Sequence, residues 1–203
     1  MKVNKMQYEK KTFLISIGFI SFGIFLLSLF AVLFKGVSSN NDVKIQHLAE
    51  NHKAREFSLQ RIDKNILPIN FAAKEKISLS DLKGRTLIIN FWASWCMTCR
   101  AEAHILEDFW QEHKDKGVVV LGVAVHDSLD DASEAAKLLN KTYPVGLDVG
   151  SDISIDYGVV GVPETYFINA QGVVVSKHIG ALSKEVLEKN LANLKSEHNI
   201  NRG

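Results

Sequence analysis

The chain has 203 residues, 46% of them hydrophobic, with 24 basic and 23 acidic side chains and a formal net charge of +1. No excess of either sign points to a nucleic acid or a polyanionic partner. Its only two cysteines, Cys96 and Cys99, are too few and too close to staple a small disulfide-rich scaffold.

The N-terminus is basic. Lys2, Lys5, Lys10 and Lys11 are opposed only by Glu9 within residues 1–11, read as a cytoplasmic N-terminus. Residues 12–34 carry no charge and are rich in Phe, Leu and Ile. As a helix at 1.5 Å per residue such a run reaches about 34 Å, enough to cross a hydrocarbon core. The lysines in front of it predict a single-pass anchor in the cytoplasmic membrane, N-terminus inside, with the rest on the periplasmic or extracytoplasmic side. A cleaved signal peptide is the competing reading. The run is longer than a usual apolar signal core and lacks an A-x-A-like site, and both readings export the C-terminal part of the chain.

Residues 35–53 are polar and mixed in charge and read as a linker. Residues 54–199 carry globular patterning, with 200–203 as a tail, and roughly 150 residues suffice for one domain with a sizeable core. Leu79 to Gly84 reads as a short helical turn closed by glycine. Thr86 to Trp92 (TLIINFW) is a buried strand. Cys96 to about His113 is a helix with Ile105, Leu106, Phe109 and Trp110 on one stripe. Gly117 to Val125 (GVVVLGVAV) is a second buried strand, and Asp130 and Asp131 are candidate caps of a helix running through Leu139. Glu164 to Asn169 and Val173 to His178 form a hairpin. Ser183 can cap a last helix bearing Val186, Leu187, Leu191 and Leu194. Strands alternating with helices predict an α/β fold, a central mixed β-sheet with helices on both faces.

The sequence Phe91-Trp92-Ala93-Ser94-Trp95-Cys96-Met97-Thr98-Cys99-Arg100 places a cysteine where a buried strand runs into a helix. The free N–H groups and positive dipole end of a first helical turn favour a sulfur anion. Cys99, one turn on, can reach that sulfur. Such a pair suits thiol-disulfide exchange: one thiolate attacks a disulfide and the other releases the captured partner. A bare C-x-x-C also serves as half of a zinc site, but no further cysteine exists to complete one. Arg100 adds either positive potential or a solvated charge.

W-C-x-x-C after an apolar strand, with G-V-P-E-T-Y-F-I at Gly161 to Ile168, resembles the thioredoxin-like superfamily. More narrowly it is similar to the membrane-anchored TlpA/ResA/DsbE (CcmG) type over about residues 55–197. The resemblance implies a thioredoxin-like fold behind one transmembrane helix and an extracytoplasmic thiol-disulfide oxidoreductase without cofactor or metal. The expected chemistry is reduction of disulfides in exported proteins, with apocytochrome c maturation as one setting. The expected partners are those oxidised proteins and a membrane electron donor of DsbD/CcdA type.

The resemblance further implies a Cys96–Cys99 redox disulfide and a proton-transfer role for Glu102, whose alternative is a solvent-exposed helix glutamate. It implies that Trp95 packs beside the active site. It also implies a cis Val162–Pro163 bond, where the residues alone would suggest trans, bringing the Val162 backbone beside the disulfide to meet an incoming peptide. For Glu164 a functional role and a plain surface charge stay open. Asn90 replaces the buried aspartate of cytoplasmic thioredoxins, and Met97-Thr98 replaces their usual proline-containing dipeptide. Two other functions remain open: a disulfide oxidant using the same thiols, and a copper-binding chaperone of related fold with His178 as the distant ligand.

Overall fold

A computed structural model describes residues 22–31, 52–62 and 75–200, with side chains to residue 196. The chain divides into two units, Met1–Lys44 and Ile45–Gly203. In the first, residues 22–31 are helical, and Phe22, Phe25, Leu27 and Phe30 are exposed. The rest of the expected span over 12–34, like most of the linker and the tail, lies outside the described residues. Among the described residues no helix is long and apolar enough to cross a membrane.

The second unit is built on an eight-stranded sheet. Its strands are β1 (His52–Lys53), β2 (Ser58–Arg61), β3 (Lys76–Ser78), β4 (Thr86–Trp92), β5 (Val118–Ala124), β6 (Val145–Leu147), β7 (Glu164–Ile168) and β8 (Val173–Ile179). They lie in the order β1-β8-β7-β4-β5-β6-β2-β3. β4, β5 and β6 are parallel, while β7 joins β4, and β2 joins β6, antiparallel. The sheet is therefore mixed, as expected. The two apolar runs are its central parallel strands, and β5 is buried along its whole length.

Side-chain alternation along β4 divides the core in two. Ile88 and Trp92 face α1 (Met97–His113), α2 (Leu129–Leu138) and α4 (Lys184–Ile200). Leu87, Ile89 and Phe91 face the other way, onto Phe57, the 3-10 turn Leu79–Leu82 and α3 (Asp152–Asp156) with Tyr157. Helices thus cover both faces, unequally. In α1 the residues Leu106, Phe109 and Trp110 are buried and Ile105 sits at the margin of the stripe. On α4 the buried residues are Leu187, Leu191 and Leu194.

The predicted boundaries of β4, β5, α1 and the β7–β8 hairpin hold within one residue. The cap of α2 is corrected. Ser128, not Asp130 or Asp131, is the N-cap, its Oγ accepting from the Asp131 amide at 3.0 Å. Both aspartates stand in the first turn, where the helix dipole favours them. β2, β3, β6 and α3 leave no clear mark in the sequence pattern. They are three to five residues long, shorter than a period needs to register. β1 pairs His52 and Lys53, the last residues of the expected linker, with Val174 and Val173 of β8.

Candidate active site

β4 ends at Trp92 and the chain turns through Ala93 to Trp95 into α1, with Cys96 as its N-cap. The Cys96 sulfur accepts the Cys99 amide at 3.1 Å, one of the free donors of the first turn. Cys96 and Cys99 form a disulfide with a Cα–Cα separation of 5.3 Å. Cys99 is 1% exposed and Cys96 6%, so the first sulfur is the one nearer the surface. Trp95 and Met97, on either side of it, are exposed. Trp95 is fixed by its indole N–H, which donates to the carbonyl of His126 at 3.0 Å. The turn beneath is tied down by Asp127, which accepts from the Ser94 amide at 2.6 Å and the Ser94 hydroxyl at 2.8 Å. Ser94, Trp95, His126, Asp127, Asp148 and Ser151 line an open cleft of about 600 Å³.

The antiparallel pairing of β7 with β4 brings residues from far along the chain to the same end of the sheet. The Val162–Pro163 peptide is cis, and the Val162 carbonyl oxygen lies 3.8 Å from the Cys96 sulfur. The segment before it is held from below. Glu164 accepts from the amides of Val160 at 2.9 Å and Gly161 at 3.2 Å. Its other oxygen pairs with Lys177 at 2.6 Å, and Lys177 also donates to the Gly158 carbonyl at 3.1 Å. Glu164 is fully buried, which overturns the reading of it as surface charge.

Glu102 is buried behind the disulfide at 2% exposure, so it is not a solvent-exposed helix glutamate. Asn90, on the same face of β4, donates to its Oε1 at 3.0 Å and to Thr165 at 3.1 Å. The Leu182 amide donates to its Oε2 at 2.7 Å. Burial raises the Glu102 pKa above the ordinary carboxylate value, opposed by these two donors and by the charges of Lys141 and His178. Lys141, itself buried, has its pKa lowered by desolvation to about 7 despite Glu102 and Glu107 nearby.

Cys96, Cys99, Glu102, Trp95, Val162 and Pro163 are thus gathered at one end of the sheet. Sequence reasoning did not find Lys141, Thr165, the Leu182 amide or the His126–Asp127 support. A lysine is so seldom buried that its position gave no signal, and the others act through backbone groups or small polar side chains. Trp92 is core, as expected. Nε2 of His178 lies 3.0 Å from the Ala181 carbonyl oxygen. Among the described residues, potential ligand atoms of Glu112, His113 and Glu188 lie within 4.8 Å of one another, at the far end of α1 from the cysteines.

The AhpC/TSA family profile matches residues 50–177. The thiol-disulfide oxidoreductase ResA of Oceanobacillus iheyensis is 29% identical over 199 residues, covering 98% of this chain and 97% of that one. The thiol:disulfide interchange protein HelX of Rhodobacter capsulatus is 31% identical over 150 residues, 66% of this chain and 83% of its own. Among solved structures, a thiol:disulfide interchange protein of the thioredoxin family from Chlorobium tepidum superposes with a TM-score of 0.59 at 25% identity, over 71% of this chain and 97% of that one. With a disulfide-forming C-x-x-C at a helix start, the chain belongs to the AhpC/TSA thioredoxin-like family and is a thiol-disulfide oxidoreductase of the ResA/HelX type.

Proposed function

We propose that the chain is a membrane-anchored, extracytoplasmic reductase of disulfides in exported proteins, with apocytochrome c as one candidate substrate. The observation that carries the reading is the Cys96 sulfur at the start of α1, receiving the Cys99 amide at 3.1 Å. A sulfur so placed is favoured as the thiolate. The uncharged run over 12–34 behind four lysines supports the anchor and its orientation.

In the reduced enzyme the Cys96 thiolate attacks a substrate disulfide. One Cys96–substrate bond forms, the substrate S–S bond breaks, and the departing substrate sulfur leaves as thiolate and takes a proton. The Cys99 thiol then loses its proton to Glu102 and attacks the Cys96 sulfur. The mixed disulfide breaks, the second substrate sulfur leaves, and the Cys96–Cys99 bridge is formed. Two electrons have passed from the enzyme to the substrate, and a membrane dithiol donor of DsbD/CcdA type returns them. Trp95, Met97 and the Val162 carbonyl surround the attacking sulfur and supply the surface on which an extended peptide rests.

Insulin reduction tests the mechanism. Cys96→Ser abolishes it, and a variant that retains full activity excludes the scheme. Direction is tested by the reduction potential of the pair. A value of about −270 mV, as in thioredoxin, supports reduction, and one of about −120 mV, as in DsbA, supports the oxidant reading instead.

A further inference from the structure

Lys141 lies between α2 and β6, in the core behind the redox helix, and is 3% exposed. Its ammonium sits 3.9 Å from the centre of the Trp92 ring and donates to the Tyr143 hydroxyl at 2.9 Å. Among the described residues no carboxylate forms an ion pair with it, an arrangement that costs stability and needs a reason. The space is prepared for it. At Gly122 a Cβ would stand 3.2 Å from both the Trp92 indole nitrogen and a Tyr143 ring carbon, so glycine there leaves the two rings undisplaced.

Four titratable groups bear on this ammonium and its neighbour. Glu107 of α1 is engaged elsewhere, accepting from the Thr142 amide at 2.7 Å, which fixes the backbone next to Lys141. Tyr143 is kept protonated by burial. His178 of β8 lies on the Glu102 side, its Nε2 3.0 Å from the carbonyl oxygen of Ala181, the residue before the Leu182 amide that donates to Glu102. Glu102 stands on the side of the redox pair: Lys141 covers Trp92, and Asn90, two residues before Trp92 on the same face of β4, donates to Glu102 Oε1 at 3.0 Å.

We propose that Lys141 is a positioning residue for the redox step: its buried ammonium holds the Glu102 carboxylate ionised, ready to take the proton of Cys99. The inference rests on the proposed exchange cycle, in which Cys99 resolves the mixed disulfide. Lys141 itself makes and breaks no bond. The Cys99 proton goes to Glu102, the Cys99 electron pair forms the new S–S bond, and the partner sulfur leaves as thiolate. Without the ammonium, burial of Glu102 is less opposed and its proton is held to higher pH.

The test uses the full-length chain carrying glutathione on Cys96 and reads the rate of glutathione release against pH. In Lys141→Met the profile moves upward by about one pH unit, a roughly tenfold loss of rate on its acidic limb. Glu102→Gln and the double variant Glu102→Gln/Lys141→Met share one profile. A folded Lys141→Met protein with the wild-type profile overturns the proposal, because a merely structural lysine would lower stability and leave the profile in place. Carbon NMR of the wild-type chain provides a reading that needs no variant. The Glu102 carboxyl carbon should show a second inflection coincident with the titration of the Lys141 ε-carbon, and a single inflection also overturns it. A wild-type chain that never releases glutathione refutes resolution by Cys99, while the NMR coupling still decides the role of Lys141.

Discussion

Lys177 and Glu164 form an ion pair at 2.6 Å with both side chains buried, and between them they hold Gly158, Val160 and Gly161 ahead of the Cys96-facing Val162 carbonyl. Lys177→Met leaves the Glu164 carboxylate buried without its cation, which costs about 3–5 kcal/mol. Replacing both, as Glu164→Gln/Lys177→Met, recovers much of that loss. Urea unfolding of the two variants is the measurement. A single variant as stable as the wild type would show that the pair does not hold the loop.

Cys99→Ser should accumulate a mixed disulfide on Cys96 when the reduced protein meets an oxidised substrate, because the resolving thiol is gone. Non-reducing electrophoresis reads it as a reducible adduct. In Cys96→Ser no such adduct forms at Cys99, which is 1% exposed and lies behind the first sulfur. Equal adducts in the two variants would contradict the assigned order of attack.

Stability should depend on pH through the two buried groups, with opposite signs. Glu102 has a folded pKa raised above its ordinary 4.5. Between those values the folded state holds more protons than the unfolded, so its contribution to stability falls as pH rises. Lys141 has a folded pKa lowered from 10.5 to about 7. Between pH 7 and 10.5 the unfolded state holds more protons, so stability rises with pH by an amount on the order of a few kcal/mol. Chemical denaturation across pH should show Lys141→Met losing the alkaline rise and Glu102→Gln losing the acidic fall. Retention of the alkaline rise in Lys141→Met would assign it to another group.

Gly146 of β6 touches β2 more closely than any side chain allows. A Cβ there would lie 2.4 Å from Leu59 Cγ and 2.7 Å from the Gln60 carbonyl oxygen. Because one of these is backbone, Gly146→Ala must part the β2–β6 pairing, at a cost of about 1–3 kcal/mol or more. The redox chemistry of Cys96 and Cys99, carried on the start of α1, should persist in the folded fraction. Thermal melting together with the reduction potential separates the two effects.

The parts of the fold legible in the sequence are those with a long period or a strong motif. TLIINFW and GVVVLGVAV declare buried central strands, and the stripe through Leu106, Phe109 and Trp110 declares α1. The site is legible where chemistry concentrates in a few residues: Cys96, Cys99 and Pro163. The rest is not, for physical reasons. Ser128 competes with two good acidic caps within the next turn, and only the chain path decides among them. β6 is a three-residue strand with a glycine in the middle, which reads as loop. Glu164 and Lys177 look like ordinary surface charges until the hairpin register puts them on the same face of the sheet. Lys141 is a lysine among polar neighbours, and nothing local says that it turns inward.

The strands at the two margins of the sheet are short: β1 has two residues and β3 three. Such stubs offer little free backbone for another chain to zip onto, which guards a sheet against growing by accretion. For a thiol-disulfide oxidoreductase, whose chemistry joins it for a time to another molecule through sulfur, that blunting has a particular value. Neither marginal stub can carry a pairing beyond three residues, so the exchange of a sulfur bond at Cys96 need not be followed by strand addition to β1 or β3.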